Sequence, residues 1–183
     1  LLPRYRVLTW DLPGHGASEA VGGDRVSPED LAAEALALVD HAGAGRFHFV
    51  GTSIGGVVGQ QLIAAHNDRL LSATLTNTGA VIGNAELWNT RAQRVRTEGL
   101  ATAAADIVPR WFAPSAFEAE PGLEAGWCVQ MGRGDDESYA QLCELLGRAS
   151  FMGQFKGVAS DAAAPKVCLF GGTEDQEIGR AHV

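Results

Sequence analysis

Gly51-Thr52-Ser53-Ile54-Gly55 is a G-x-S-x-G pentapeptide, extended by Gly56. A serine hydroxyl is a weak nucleophile until a base takes its proton and a carboxylate orients that base. The pentapeptide supplies what such a serine needs from its backbone: a tight strand-to-helix turn from whose tip the hydroxyl projects beyond a sheet edge. Side chains at positions 51 and 55 are expected to collide with the neighbouring backbone. The helix that follows aims its first N–H groups at the same point, so the Ile54 N–H is the expected donor to an oxyanion.

The partners of such a serine follow it in the order acid, then histidine. Asp175 comes after the strand-like run Lys166–Phe170 through the turn Gly171-Gly172-Thr173-Glu174. Parallel strands open their carboxyl ends on one edge, so Asp175 is expected on the Ser53 side, with Glu174 as the close alternative. The histidines fit less well. His48 falls within a strand, and His41 and His66 end helices at the opposite edge. His15 precedes the serine in a glycine loop and is read as a loop residue. His182 follows Asp175 by only seven residues, which leaves no room for another helix and strand. The base is therefore expected to lie beyond this chain.

These groups require a scaffold that the hydrophobic pattern supplies. Arg6–Trp10 is β-branched and aromatic enough for a strand, closed by Asp11-Leu12-Pro13-Gly14-His15-Gly16. Ser27-Pro28-Glu29-Asp30 starts a helix with a capping serine, a proline at the first turn and two acids at the positive end of the dipole. Leu31, Ala35, Leu38, Val39 and Ala42 continue it at helical spacing until Gly43 and Gly45. Phe47–Val50 is a second strand, 54–65 a helix, and Leu70–Leu75 a third strand. Alternation of this kind predicts an α/β fold with a parallel sheet, right-handed crossovers and strands buried on both faces. After Gly79 the pattern turns helical, at Glu86–Thr97, Ala101–Trp111 and Ser138–Leu146, before the strand at Lys166–Phe170. A helical block between two strands of one sheet predicts a lid over the edge where sites form. The expected organisation is a partial core over 1–80, the lid over 81–160, a return to the core over 161–176, and a tail over 177–183 foreign to the fold. The opening on a central-type strand and the missing base together predict truncation at both ends.

Bulk properties narrow the function classes. The chain has 183 residues, enough for one domain with a sizeable core, and its formal net charge is −8. Without a compensating Lys/Arg cluster, nucleic acid is not an expected partner. No apolar run reaches the about 20 residues of a membrane span, and no signal peptide is visible, so a cytoplasmic location is expected. Cys128, Cys143 and Cys168 match neither a disulfide framework nor a metal site and are expected to be buried thiols. With no metal cluster or phosphate loop, no cofactor is expected.

Longer motifs then carry a resemblance. Asp11-Leu12-Pro13-Gly14-His15-Gly16-Ala17-Ser18 followed by the Ser53 turn is similar to the general α/β-hydrolase pattern. Thr76-Asn77-Thr78-Gly79-Ala80-Val81-Ile82-Gly83, Glu86-Leu87-Trp88-Asn89-Thr90-Arg91, Val95-Arg96-Thr97-Glu98-Gly99-Leu100 and Arg110-Trp111-Phe112 resemble the 3-oxoadipate enol-lactonases over about residues 5–175. The resemblance implies an α/β-hydrolase fold with a helical lid and hydrolysis of a small enol-lactone in aromatic catabolism. It also implies Ser53 as nucleophile and Asp175 as triad acid. The lactone carries a carboxylate, so the lid should offer a cation and apolar walls. Arg91, Arg94 and Arg96 lie close together on the first lid helix, with Trp88 one turn before Arg91. Trp88, Arg91 and Trp111 are the candidate substrate contacts. The competing readings are another small carboxylesterase, a cofactor-free haloperoxidase-like hydrolase, or a ligand-sensing receptor on the same fold. Neither the oligomeric state nor the exact substrate follows from these residues.

Overall fold

The computed structural model describes residues 3–155 and 164–175. Three parallel strands form one sheet in the order β1 (Phe47–Thr52), β2 (Leu70–Thr76), β3 (Lys166–Phe170). Their carboxyl ends are level, since Thr52 pairs with Thr76 and Thr76 with Phe170. Helix α1 (Pro28–His41) begins with a full capping box. Asp30 N–H donates to the Ser27 hydroxyl, and the Asp30 carboxylate accepts from Ser27 N–H at 2.9 Å. Helix α2 (Ile54–Ala65) crosses back from β1 to β2 and buries Val57, Val58 and Leu62 against one sheet face. Gly59 lets this helix press onto the sheet, because a Cβ there would meet Leu75 at 2.4 Å and Phe49 at 2.9 Å.

Among the described residues between β2 and β3 lie five α-helices: α3 (Ala85–Glu98), α4 (Leu100–Ile107), α5 (Pro114–Ala119), α6 (Leu123–Met131) and α7 (Asp136–Arg148). Trp88 and Ala92 of α3 and Leu142, Leu145 and Leu146 of α7 join the main core under the sheet edge. Val95, Leu100, Ala103, Ala104, Ile107, Val108 and Met131 make a second cluster inside the helical block. Two ion pairs tie α3 to α7, from Arg96 to Glu137 at 2.7 Å and to Glu144 at 2.5 Å.

Four expectations need correction. Residues 6–10 form no strand: Tyr5 rests edge-on against His48 of β1 with ring centroids 5.8 Å apart, but no described segment supplies a hydrogen-bond ladder. The predicted helix over 101–111 stops at Ile107, and Val108–Trp111 tightens into a 3₁₀ turn around Pro109. The strands are not buried on both faces. β2 buries Leu70, Ala73 and Leu75, β1 alternates, and all five residues of β3 are exposed, because α2 covers β1 and β2 but leaves β3 bare. Of the cysteines only Cys143 is buried. Cys168 is exposed on β3 and Cys128 is intermediate; all three are free thiols.

Candidate active site

Ser53 stands between β1 and α2 with φ 56° and ψ −114°, a conformation costly for any residue with a Cβ. The surroundings impose it. Ser53 N–H donates to Thr76 O at 2.9 Å, and Ser53 O accepts from Gly56 N–H at 2.8 Å and Val57 N–H at 3.2 Å. At Gly51 a Cβ would lie 2.2 Å from Gly55 O, so only glycine lets the start of α2 come down on the end of β1. The second crowded position is not Gly55, whose Cβ would meet nothing within 4 Å, but Gly56, where a Cβ would fall 2.5 Å from Thr78. Residue 55 lies on the open side of the first helical turn, whereas residue 56 faces the continuation of β2. Ser53 occupies the N-cap position of α2, yet its hydroxyl makes no capping bond. The oxygen is thus not engaged by the helix that follows it.

Asp175 ends the turn after β3, with its N–H 3.4 Å from Gly172 O. Its Oδ2 accepts from Asn77 Nδ2 at 2.7 Å. Asn77 is the first residue past β2 and has φ 47°; its backbone N–H donates to Phe170 O, the last residue of β3, at 2.8 Å. Ser53, Asn77 and Asp175 therefore line one sheet edge, each just beyond the end of its strand or the turn that follows it.

Ser53, Ile54, Asn77, Glu174 and Asp175 border a cavity of about 670 Å³. Its opposite wall comes from the helical block: Trp88, Arg91, Arg110, Trp111, Phe112, Tyr139 and Cys143. Trp88 is 4% exposed and fixed by its indole N–H donating to Ile82 O at 2.6 Å. The Arg91 guanidinium lies over the Trp88 ring, 4.8 Å from the centroid. The three arginines of α3 are thereby separated. Arg91 borders the cavity, Arg94 pairs with Glu98 at 2.8 Å and Asp106 at 2.6 Å, and Arg96 pairs with α7. Hydrogen bonds from both guanidinium groups to these carboxylates hold Arg94 and Arg96 firmly protonated, and Glu137 is lowered from the ordinary glutamate range by Arg96.

Among the described histidines, His15 borders the cavity, whereas His41, His48 and His66 do not. Its ring Nδ1 lies 3.0 Å from Pro13 O, and its ring centroid is 6.3 Å from that of Tyr139. The loop that carries it is tied to the start of α7. Asp135 N–H donates to Gly14 O at 2.8 Å, and Val21 N–H donates to the Ser138 hydroxyl at 3.0 Å. Hydrogen bonds from Ser138 also lower the Asp135 carboxyl below its usual range. His182 lies outside the described residues. No group of three or more His, Cys, Asp or Glu side chains among the described residues could hold a metal ion, and no described helix is long and apolar enough to cross a membrane.

Sequence reasoning did not single out Asn77, Arg110 or Tyr139 as site residues. For Asn77 a signal existed: it follows β2 directly, as Ser53 follows β1, and parallel strands share one edge. Arg110 and Tyr139 offered none, because their approach to the cavity depends on how the helices fold over it.

The alpha/beta hydrolase fold family model matches residues 1–163. The chain is 35% identical over 157 residues to 3-oxoadipate enol-lactonase 2 of Acinetobacter baylyi, covering 85% of this chain and 58% of that protein. It is 30% identical over 149 residues to 3-oxoadipate enol-lactonase 1 of the same organism, covering 81% and 55%. Among solved structures it is similar to the enol-lactonase from Burkholderia xenovorans LB400, with 35% identity, a TM-score of 0.78 and coverage of 89% of this chain and 60% of that one. A hydrolase from Pseudomonas aeruginosa PA01 superposes with a TM-score of 0.79 at 26% identity, over 93% and 62% of the two chains. The chain spans a little over half the length of the curated relatives it matches.

Proposed function

Since the chain belongs to the alpha/beta hydrolase fold family, we propose that its protein hydrolyses a small carboxylate-bearing lactone, with 3-oxoadipate enol-lactone as the leading substrate. The observation that carries this reading is the shared cavity: Ser53 and Asp175 on one wall, Arg91 and Arg110 on the other, and aromatic side chains between them. A carboxylated lactone needs a hydroxyl nucleophile at one end and a cation at the other, with apolar walls to exclude water. The similarity to the two Acinetobacter enol-lactonases supports the substrate.

In this mechanism the Ser53 hydroxyl attacks the lactone carbonyl carbon while its proton passes to a histidine outside the described residues, oriented by Asp175. The Ile54 N–H donates to the oxyanion. Collapse of the tetrahedral adduct breaks the ring C–O bond, and the imidazolium returns the proton to the departing enol oxygen. Water then attacks the acyl-serine, the histidine takes its proton and passes it back to Ser53, and the free carboxylate leaves. No cofactor takes part in these steps.

The test is enol-lactone hydrolysis by the whole protein. Ser53→Ala should lower kcat by at least about 10⁴-fold, as loss of a triad nucleophile does. Unimpaired turnover in that variant would sink the reading. The same assay examines the base, because a His15→Gln loss as large as that of Ser53→Ala would move the proton acceptor to His15. An uncharged ester of equal size, preferred over the lactone, would make the enzyme a general carboxylesterase instead.

A further inference from the structure

We infer that Asn77 is the positioning residue of the acid, holding the Asp175 carboxylate in place by a hydrogen bond from across the sheet. The inference rests on the serine-hydrolase reading and adds a residue to which that reading gives no role.

Three observations support it. The first is the environment of Asp175. Every residue of β3 is exposed in this chain, and within the acid turn Asp175 N–H approaches Gly172 O at 3.4 Å. Within this chain, side-chain packing along β3 gives the carboxylate little support. The second is a two-point clamp. Asn77 reaches β3 through its backbone, N–H to Phe170 O at 2.8 Å, and reaches the acid through its side chain, Nδ2 to Asp175 Oδ2 at 2.7 Å. The turn closes around this amide, since a Cβ at Gly172 would come within 3.2 Å of Asn77 Nδ2. One residue thus sets both the end of the strand and the group five positions on. The adjacent Thr76 O accepts from Ser53 N–H, so the same stretch also anchors the nucleophile.

The third observation separates a backbone role from a side-chain role. Asn77 has φ 47°, where glycine is the least strained choice and asparagine one of the better tolerated. Backbone geometry alone explains why residue 77 is small and turn-forming. It does not explain a carboxamide whose donor end meets the acid. A neutral amide suits this place, because it stabilises the ionised carboxylate without competing for the imidazolium that the carboxylate must attract.

This difference supplies the experiment, run on the whole protein with an enol-lactone substrate. Asn77→Gly keeps the left-handed backbone and the Phe170 bond while deleting the amide. The melting temperature should hold, KM should change little, and kcat should fall about 10- to 100-fold, the factor a hydrogen bond to a charged group is commonly worth. Asn77→Asp replaces the donor with a second anion beside Asp175. The added negative charge favours the protonated imidazole, so the acidic limb of the kcat profile should move to higher pH. Glu174, Arg91 and Arg110, which share the cavity, are unchanged in both variants. A purely structural residue would lower the melting temperature in both without moving that limb, and this result would overturn the assignment. Full kcat in Asn77→Gly with an unmoved limb in Asn77→Asp would overturn it too. Ser53→Ala, measured alongside, keeps the two readings apart. If Ser53→Ala is inactive while both Asn77 variants behave as wild type, Asn77 alone is misassigned. If Ser53→Ala is active, the hydrolase reading falls and takes the role of Asn77 with it.

Discussion

The two turns that share one sheet edge beneath the cavity are held in place by different physics. The Ser53 turn is fixed by what surrounds it. A Cβ at Gly51 would strike Gly55 O at 2.2 Å, and Val57, Val58 and Leu62 just beyond the turn are buried. The Asp175 turn has none of this. It follows a strand whose residues are exposed in this chain, and Asn77 Nδ2 donates to its Asp175 carboxylate. A strained backbone survives where the core over-determines it. A relaxed loop can be held more lightly, because on the proposed mechanism what it must keep is the direction of one carboxylate. Errors in the first turn should therefore appear as instability, and errors in the second as slow turnover.

The largest effect should separate the two supports. Leu62, fully buried under the Ser53 turn, and Leu169, 52% exposed on β3, are the same residue type in opposite settings. Leu62→Ala should cost about 3–4 kcal/mol by the usual scale for buried leucines, and Leu169→Ala less than about 1 kcal/mol. Chemical denaturation of the 183-residue chain, to which these exposures belong, measures both. Equal losses would remove the contrast.

A smaller effect examines the Ser53 turn itself. Gly51→Ala forces a Cβ against backbone and should cost about 2–3 kcal/mol, whereas Gly55→Ala, with nothing within 4 Å, should stay within about 1 kcal/mol of wild type. The same denaturation experiment decides it, and a costly Gly55→Ala would restore the symmetrical reading of the pentapeptide.

The smallest effect lies away from both turns. Glu137 is depressed by the Arg96 guanidinium, so the pair stabilises the fold above the ordinary glutamate range, and that contribution is lost as pH falls through the lowered value. Both side chains are partly in water, 30% and 53% exposed, so screening limits the contribution to about 1 kcal/mol or less. Arg96→Ala should narrow the stability difference between neutral and acidic pH without altering kcat. A change in kcat would connect the α3–α7 pairing to the cavity.

The same contrast sets what could be read from residues in order. Ser53 was legible because its turn is local: strand, small residues and helix are contiguous, and sterics within six residues dictate the outcome. The three paired strands were legible from their apolar runs. Residues 6–10 carry the same pattern, but a strand also needs a ladder partner, which no local pattern guarantees. Gly55 was misjudged because crowding depends on the side of the helix a position takes, and that side is set by Thr78, more than twenty residues on. The clamp from Asn77 to Asp175 spans 98 positions and becomes visible only through the register of β2 with β3. Of the arginines, spacing brought Arg91, Arg94 and Arg96 together. The folded helices divided them, sending two to carboxylates and one to the cavity, where Arg110 joins it.

The indole of Trp88 has its ring edge tied to Ile82 O and its face covered by the Arg91 guanidinium, inside the cavity wall. A cation over an indole alters its excited state, and shelter from water shifts its emission toward the blue. An anion that draws Arg91 off the ring would change that light as it arrives. Trp88 is one of four tryptophans and shares the cavity with Trp111, so on the proposed function its signal is isolated by replacing the other three, and occupancy is then followed by fluorescence in Ser53→Ala, where no bond is broken.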